Sequence, residues 1–420
     1  MIKKPVTVIL SALAVIAVQA QTLPLKEVAP QPECVHADRS YLHFPGSRTA
    51  QDRFYDLLDS LMAGTGKSVN VWHIGGSHVQ AGHFSYRMQE NLTSMADGLK
   101  GERGFIFPYR IAKTNSDKSF RTSYTGEWVS AMAASKHPHL NPRFGIMGIA
   151  AQTSDSSATV GFGLNVNQDT LWQFNRVRIM GYSSSPDVFP TLISGTDTLA
   201  CAVDSLTQSY VFNLTEMRDS AVIGFHFPEE GGSFTLTGIE PISGRKGINY
   251  FCSGVNGATL TTWMDKCEDF ERDIRLVRPD LAIFAVGIND SACKQSDFKV
   301  GKFKDNYRRL IEMIRRQSPD CTFIFITNND SYRYIKRGMT YNYNTPAVQK
   351  AMYELGEEFG AAVFDVYDIM GAKKDCVLQW RDNGLVKSDK LHFTPEGYVL
   401  LGDLLYNAIV EDYNNRKAGH

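Results

Sequence analysis

Hydrophobic positions recur at two spacings, and the spacing changes along the chain. Phe54, Leu57, Leu58 and Leu61 lie three and four apart, the period of one helix face. Ser68 to Ile74 follows as a strand-like run with Val69, Val71 and His73 in alternation, ending at Gly75-Gly76. The same style returns later. Trp263, Cys267, Phe270, Ile274 and Val277 fall on one helix face, which Pro279 terminates. Leu281 to Val286 is a continuous apolar run. Phe303, Tyr307, Leu310, Ile311 and Ile314 form a second stripe before the strand Thr322 to Ile326. Val348, Met352, Leu355 and Phe359 form a third before Ala361 to Phe364, and Tyr398, Leu401, Leu405 and Ile409 suit a C-terminal helix. Buried strands alternating with amphipathic helices predict an α/β fold with a parallel, doubly wound sheet.

The middle of the chain reads differently. Tyr210, Phe212 and Leu214 alternate. Val222 to Phe227 and Phe234 to Ile239 read as strands around the turn Glu229-Glu230-Gly231-Gly232. Thr153 to Thr159 and Ser183 to Asp187 are polar and turn-rich. Short strands between such turns predict an antiparallel sandwich or jelly-roll-like module. The expected organisation is an α/β domain in two parts, 21–106 and 243–420, around an inserted β domain at 107–242.

Residues 1–20 stand apart. Lys3 and Lys4 precede the apolar run Val8 to Val18, and Val18-Gln19-Ala20 offers small residues at cleavage positions. This predicts a signal peptide cut after Ala20, and so a secreted or periplasmic protein. Balanced charge, 44 Lys+Arg against 45 Asp+Glu, gives no electrostatic reason to expect nucleic acid. No later run is long enough to predict a membrane span. The seven cysteines are odd in number and contain no CxxC, so neither a disulfide framework nor a zinc site is implied. Oligomeric state is not legible.

Four short blocks carry candidate chemistry. Ile74-Gly75-Gly76-Ser77-His78 ends a strand in two glycines, a turn that exposes a serine. Gly254-Val255-Asn256-Gly257-Ala258-Thr259 places a glycine N–H before a helix. Gly287-Ile288-Asn289-Asp290 puts an Asn amide at the carboxyl end of a strand, where it can donate to an oxyanion. Asp389-x-x-His392 precedes Thr394-Pro395, a helix cap and first turn, so Asp389 can orient the His392 imidazole. Each block alone equally describes an ordinary turn.

The ordered set Ser77, Gly257, Asn289 and Asp389-x-x-His392 resembles the SGNH (GDSL-type) hydrolase superfamily. That resemblance implies a flavodoxin-like three-layer α/β/α sandwich. It makes Ser77 the nucleophile, His392 the base and Asp389 its partner. Ser77 and Gly257 N–H groups and the Asn289 amide would form the oxyanion hole, with no cofactor and no metal. One residue departs from the pattern: Gly76 stands where the family usually has Asp. Gly104 to Tyr109, the Trp380…Gly384-Leu385…Asp389-x-x-His392 block and the long β insertion resemble peptidoglycan and carbohydrate O-acetylesterase-like members. The implied function is a secreted serine esterase that removes O-acetyl groups from a cell-wall or other polysaccharide. The alternatives are a lipase or lysophospholipase-type acylhydrolase, or an inactive carbohydrate-binding member. The triad is common to hydrolysis and to acyl transfer.

His73, His78 and His83 are five apart, which does not fit one helix face for a metal. Trp128, Trp172 and Tyr182 in the insert are candidate sugar-stacking rings, although sandwich core is the simpler role. The insert is expected to set substrate choice and to supply none of the five site residues.

Overall fold

The computed structural model describes residues 22–419 apart from 116, 137, 167–170 and 195–196; the expected signal peptide lies outside the described residues. A six-stranded sheet runs in the order Leu42–His43, Ala362–Phe364, Thr322–Ile326, Leu281–Ala285, Val69–Gly75, Ile248–Gly254. The last five are parallel, and only the edge pair Leu42–His43 and Ala362–Phe364 is antiparallel. Numbered along the chain, the parallel strands lie 2-1-3-4-5, the flavodoxin-like order. Val69–Gly75 is the first parallel strand; it pairs on both edges and is covered on both faces. Val69, Val71, Trp72, His73 and Ile74 are all fully buried, which explains a run with less clean alternation than a half-exposed strand would show.

Helices cover both faces. Thr49–Met62, His83–Thr93 and Pro395–Ala418 share one hydrophobic cluster with Val71, Ile283 and Ile324. Phe270–Val277, Val300–Gln317 and Thr345–Phe359 share the other with Trp72, Phe284 and Phe325. The α/β/α layering follows from strands that are apolar on both sides, since each face needs an amphipathic cover.

Residues 121–242 build two antiparallel sheets. One has six strands, in the order Ala202–Asp204, Ser209–Arg218, Phe174–Ser183, Phe234–Ile242, Ile149–Thr153, Val129–Met132. The other has five: Arg121–Thr125, Thr159–Gly163, Ser220–His226, Phe189–Ser194, Asp197–Leu199. Rings from both sheets meet between them, Phe162 with Phe174 at 5.3 Å and Phe225 with Phe234 at 5.1 Å. This core is continuous with the Trp72 and Phe284 face of the parallel sheet.

One expected helix divides in two. The stripe from Trp263 to Val277 spans one turn of π-helix, Thr262–Lys266, and a separate α-helix, Phe270–Val277. The chain turns at Cys267, whose ψ is 89°. The cause is tertiary. Asp269 N–H donates to Phe144 O at 3.0 Å, and the Asp273 carboxylate accepts the Ile146 N–H at 3.1 Å. The 144–146 segment takes the Asp269 N–H that a continuous helix would direct to its own preceding turn, and the Asp273 side chain anchors the segment there.

Among the described residues no helix is long and apolar enough to cross a membrane. All seven cysteines are free thiols, with Cys267, Cys321 and Cys376 buried. Trp172 is buried beneath the Lys100 ammonium, 4.1 Å from its ring, and Tyr182 lies beneath Arg143 at 4.5 Å. Trp128 packs edge-on against Phe225. His73 is buried in its strand with Nδ1 2.9 Å from the Tyr250 hydroxyl.

Candidate active site

The parallel strands deliver three of the four blocks to one edge. Val69–Gly75 ends at Gly76-Ser77, Ile248–Gly254 leads into Gly257, and Leu281–Ala285 leads into Asn289. These are neighbouring strands at the point where strand order reverses, and open α/β sheets form their clefts there. Gly75 is needed for packing: a Cβ on it would lie 2.5 Å from Ala285 O. The glycine thus lets the strand end close against its neighbour.

The fourth block arrives from the C-terminal helix. Thr394 Oγ1 accepts the Gly397 N–H at 3.2 Å, and Pro395 starts the helix. Thr394 N–H also donates to Leu385 O, and Lys387 N–H to His392 O at 2.8 Å. These bonds hold the 389–394 loop, and His392 lands beside Ser77.

Ser77 Oγ lies 2.7 Å from His392 Nε2, and His392 Nδ1 lies 2.7 Å from Asp389 Oδ2. The other carboxylate oxygen, Oδ1, accepts the backbone N–H groups of Leu391 and His392, both at 3.0 Å. Burial opposes ionisation of Asp389, but the hydrogen bonds from the His392 ring and from these N–H groups outweigh it and lower its pKa to about 2. A carboxylate only accepts, so Nδ1 carries the proton and Nε2 is left to accept from the Ser77 hydroxyl. Ser77, Asp389 and His392 are all half-buried, and so remain open to a ligand.

Gly257 is exposed and sits at φ +80°, a left-handed conformation that suits glycine. Three contacts fix its loop. Asn256 N–H donates to Gln80 Oε1 at 2.6 Å, Asn289 Nδ2 donates to Ala258 O at 2.9 Å, and Leu260 N–H meets the Asp290 carboxylate at 3.2 Å. The Asn289 amide therefore spends one proton on the loop and retains a second. A Cβ on Gly76 would lie 3.1 Å from this amide nitrogen. Glycine at 76 thus leaves Asn289 room beside the turn.

Several contributors carry no signal of their own in the sequence. Gln80 Nε2 also donates to Thr114 Oγ1 and Asn115 O, both at 2.9 Å, and Asn256 Nδ2 reaches Asn115 Oδ1 at 2.7 Å. His78 packs its ring 5.5 Å from that of His392, with Nδ1 2.7 Å from the Tyr398 hydroxyl. Burial, with a smaller push from His392, holds His78 neutral and its pKa down at about 3. Beside Asn289 and Leu391 opens a cleft of about 210 Å³, walled by the hairpin Tyr332–Ile335 and Gly338–Tyr341. Among the described residues no three His, Cys, Asp or Glu side chains are grouped to hold a metal ion.

The model of the GDSL-like lipase/acylhydrolase family matches residues 204–400, a span that contains Gly257, Asn289, Asp389 and His392 but not Ser77. No curated protein sequence matches the chain significantly. Among solved structures, a peptidoglycan O-acetylesterase superposes with a TM-score of 0.71 at 18% identity, over 89% of this chain and 99% of that one. At that identity the likeness is one of fold. An acetyl xylan esterase matches 38% of this chain and 81% of its own at 18% identity, with a TM-score of 0.31. A GDSL-like lipase from Bacteroides thetaiotaomicron matches 39% and 76% at 18% identity, with a TM-score of 0.30. Over residues 204–400 the chain matches the GDSL-like lipase/acylhydrolase family, and its fold is that of an SGNH-type ester hydrolase.

Proposed function

We propose that this is an exported serine esterase that removes O-acetyl groups from a cell-wall or other polysaccharide. The observation that carries the reading is the pair of 2.7 Å contacts, Ser77 to His392 and His392 to Asp389, at the carboxyl edge of the sheet. Ser77 Oγ attacks the ester carbonyl carbon while His392 Nε2 takes the hydroxyl proton. The tetrahedral oxyanion is held by the N–H groups of Ser77 and Gly257 and by the remaining proton of the Asn289 amide. Collapse breaks the bond to the sugar oxygen, which leaves with the proton from His392. Water then repeats the attack, and acetate departs from Ser77.

The polysaccharide is favoured by the overall likeness to a peptidoglycan O-acetylesterase. Export rests on the N-terminal segment, with its basic start and short apolar run. The insert takes no catalytic role in this reading. Its edges line the site through Thr114 and Asn115, and through Ala134, whose Cβ would lie 3.8 Å from a Cβ on Gly257.

A series of 4-nitrophenyl esters tests the acyl preference. Turnover efficiency should be greatest for acetate and fall steeply by octanoate. A preference for octanoate would replace this reading with a lipase-type one, and no hydrolysis of any ester would favour a binding role.

A further inference from the structure

The hairpin that walls the cleft carries a cation, Arg333, that pairs with no carboxylate among the described residues. It leaves the sheet after Thr322–Ile326, and Tyr332 N–H donates to Lys390 O at 2.9 Å, beside Asp389. Asn342 N–H closes its base on Ser331 O at 3.0 Å. Its position is therefore tied to the loop that carries His392. Arg333 lines the same cleft as Asn289 and Leu391. Its side chain is half-buried, and Nε is buried without a hydrogen-bond partner among the described residues. The rest of the half-buried guanidinium faces the cleft, where a ligand can meet it.

The neighbouring acids are already committed. Asp330 accepts from the Tyr341 hydroxyl at 2.6 Å and from Val377 N–H at 3.0 Å. Asp375 accepts from the Tyr332 hydroxyl at 2.8 Å, and Asp389 holds His392. A second cation lies close by, with Lys390 Nζ 4.5 Å from the centre of the Tyr332 ring. Next to Arg333, Tyr334 is 66% exposed and also lines the cleft. A planar guanidinium is suited to a carboxylate in two-point contact, and an exposed tyrosine to the flat face of a sugar.

We propose that Arg333 is a specificity residue that binds a carboxylate carried by the acetylated sugar. The substrate is then an acidic saccharide, either a hexuronate or an amino sugar bearing a lactyl ether. This assignment rests on the esterase reading for its sugar, but binding tests it without turnover.

The full chain carrying Ser77→Ala is titrated by calorimetry with N-acetylmuramic acid and its methyl ester, and with trigalacturonate and its methyl ester. In one series the free acid should bind at least tenfold tighter than the ester, and that series identifies the source of the carboxylate. Adding Arg333→Met should bring the ratio towards one, whereas Arg333→Lys should keep part of it. Equal binding of acid and ester in both series, absence of binding in both, or an acid preference that survives Arg333→Met would overturn the proposal. If the acid preference stands while the unmutated chain hydrolyses no ester, only the esterase reading falls.

Discussion

Asp389 has two jobs, one for each oxygen. Oδ2 faces the imidazole, while Oδ1 gathers the N–H groups of its own loop. The three-residue spacing to His392 makes both jobs local, and for that reason the pair was legible in the sequence. Asp389→Asn keeps the shape but can donate to Nδ1, which would turn the imidazole to the tautomer with its proton facing Ser77. Turnover should drop by about three to four orders of magnitude while the fold persists. Steady-state kinetics alongside circular dichroism check this, and a loss below tenfold would detach Asp389 from the chemistry. Gly76 is the converse case. Its departure from the family pattern is plain in the sequence, but its consequence is not. That consequence depends on the Asn289 amide, 3.1 Å from where a Cβ would be and more than two hundred residues away in sequence.

At the scale of elements, the site is three strand ends and one helix cap, and each announces itself through residues in a row. Glycines, Asn289 and Thr394-Pro395 mark ends whatever the rest of the chain does. The braces between those ends have no such signature. Gln80 reads as an ordinary helical polar residue, yet it is buried and joins the Ser77 helix to the Gly257 loop and to Thr114 and Asn115. The Arg333 hairpin and the break at Cys267 were hidden for the same reason, since both depend on partners distant in the chain. Gln80→Ala leaves the Asn256 N–H without its acceptor. It should cost about 1–3 kcal/mol of stability by urea unfolding. Because the Gly257 N–H loses its placement, kcat should fall about tenfold or more with KM little changed. A change confined to KM would instead put Gln80 in contact with substrate.

For the whole molecule, the hydrophobic pattern conveyed the layers correctly because strands buried on both faces and amphipathic helices need one another. It could not convey that the insert's core merges with one face of the parallel sheet. The opposite face of that sheet, packed by Phe84 and Tyr250, buries an ionisable group of its own, and this group contributes to the pH response. His73 is fully buried, and burial lowers its pKa to about 3. In the unfolded chain a histidine titrates near about 6.5. Between those values the unfolded chain binds a proton that the fold refuses, so stability is fully present above about 6.5 and is lost as pH falls towards 3. The limiting slope is about 1.4 kcal/mol per pH unit for one such group. Glu240 and Asp290, carboxyls that burial raises to about 7, act in the opposite sense in this window, so the His73 contribution is read by difference. By urea unfolding, the stability change from pH 7 to pH 5 should be less favourable for the unmutated protein than for His73→Asn, whatever that variant's starting stability. Equal changes would mean that His73 is protonated in the fold.

The central claim is that Ser77 is the nucleophile because His392 and Asp389 activate it. Covalent labelling with a fluorophosphonate, followed by mass spectrometry of the digested protein, reads this directly. The account predicts one added phosphonyl group, located on the peptide containing Ser77, and slowed at least a thousandfold by His392→Ala. Label on a different residue, or ester turnover by a protein in which Ser77 never reacts, would contradict it.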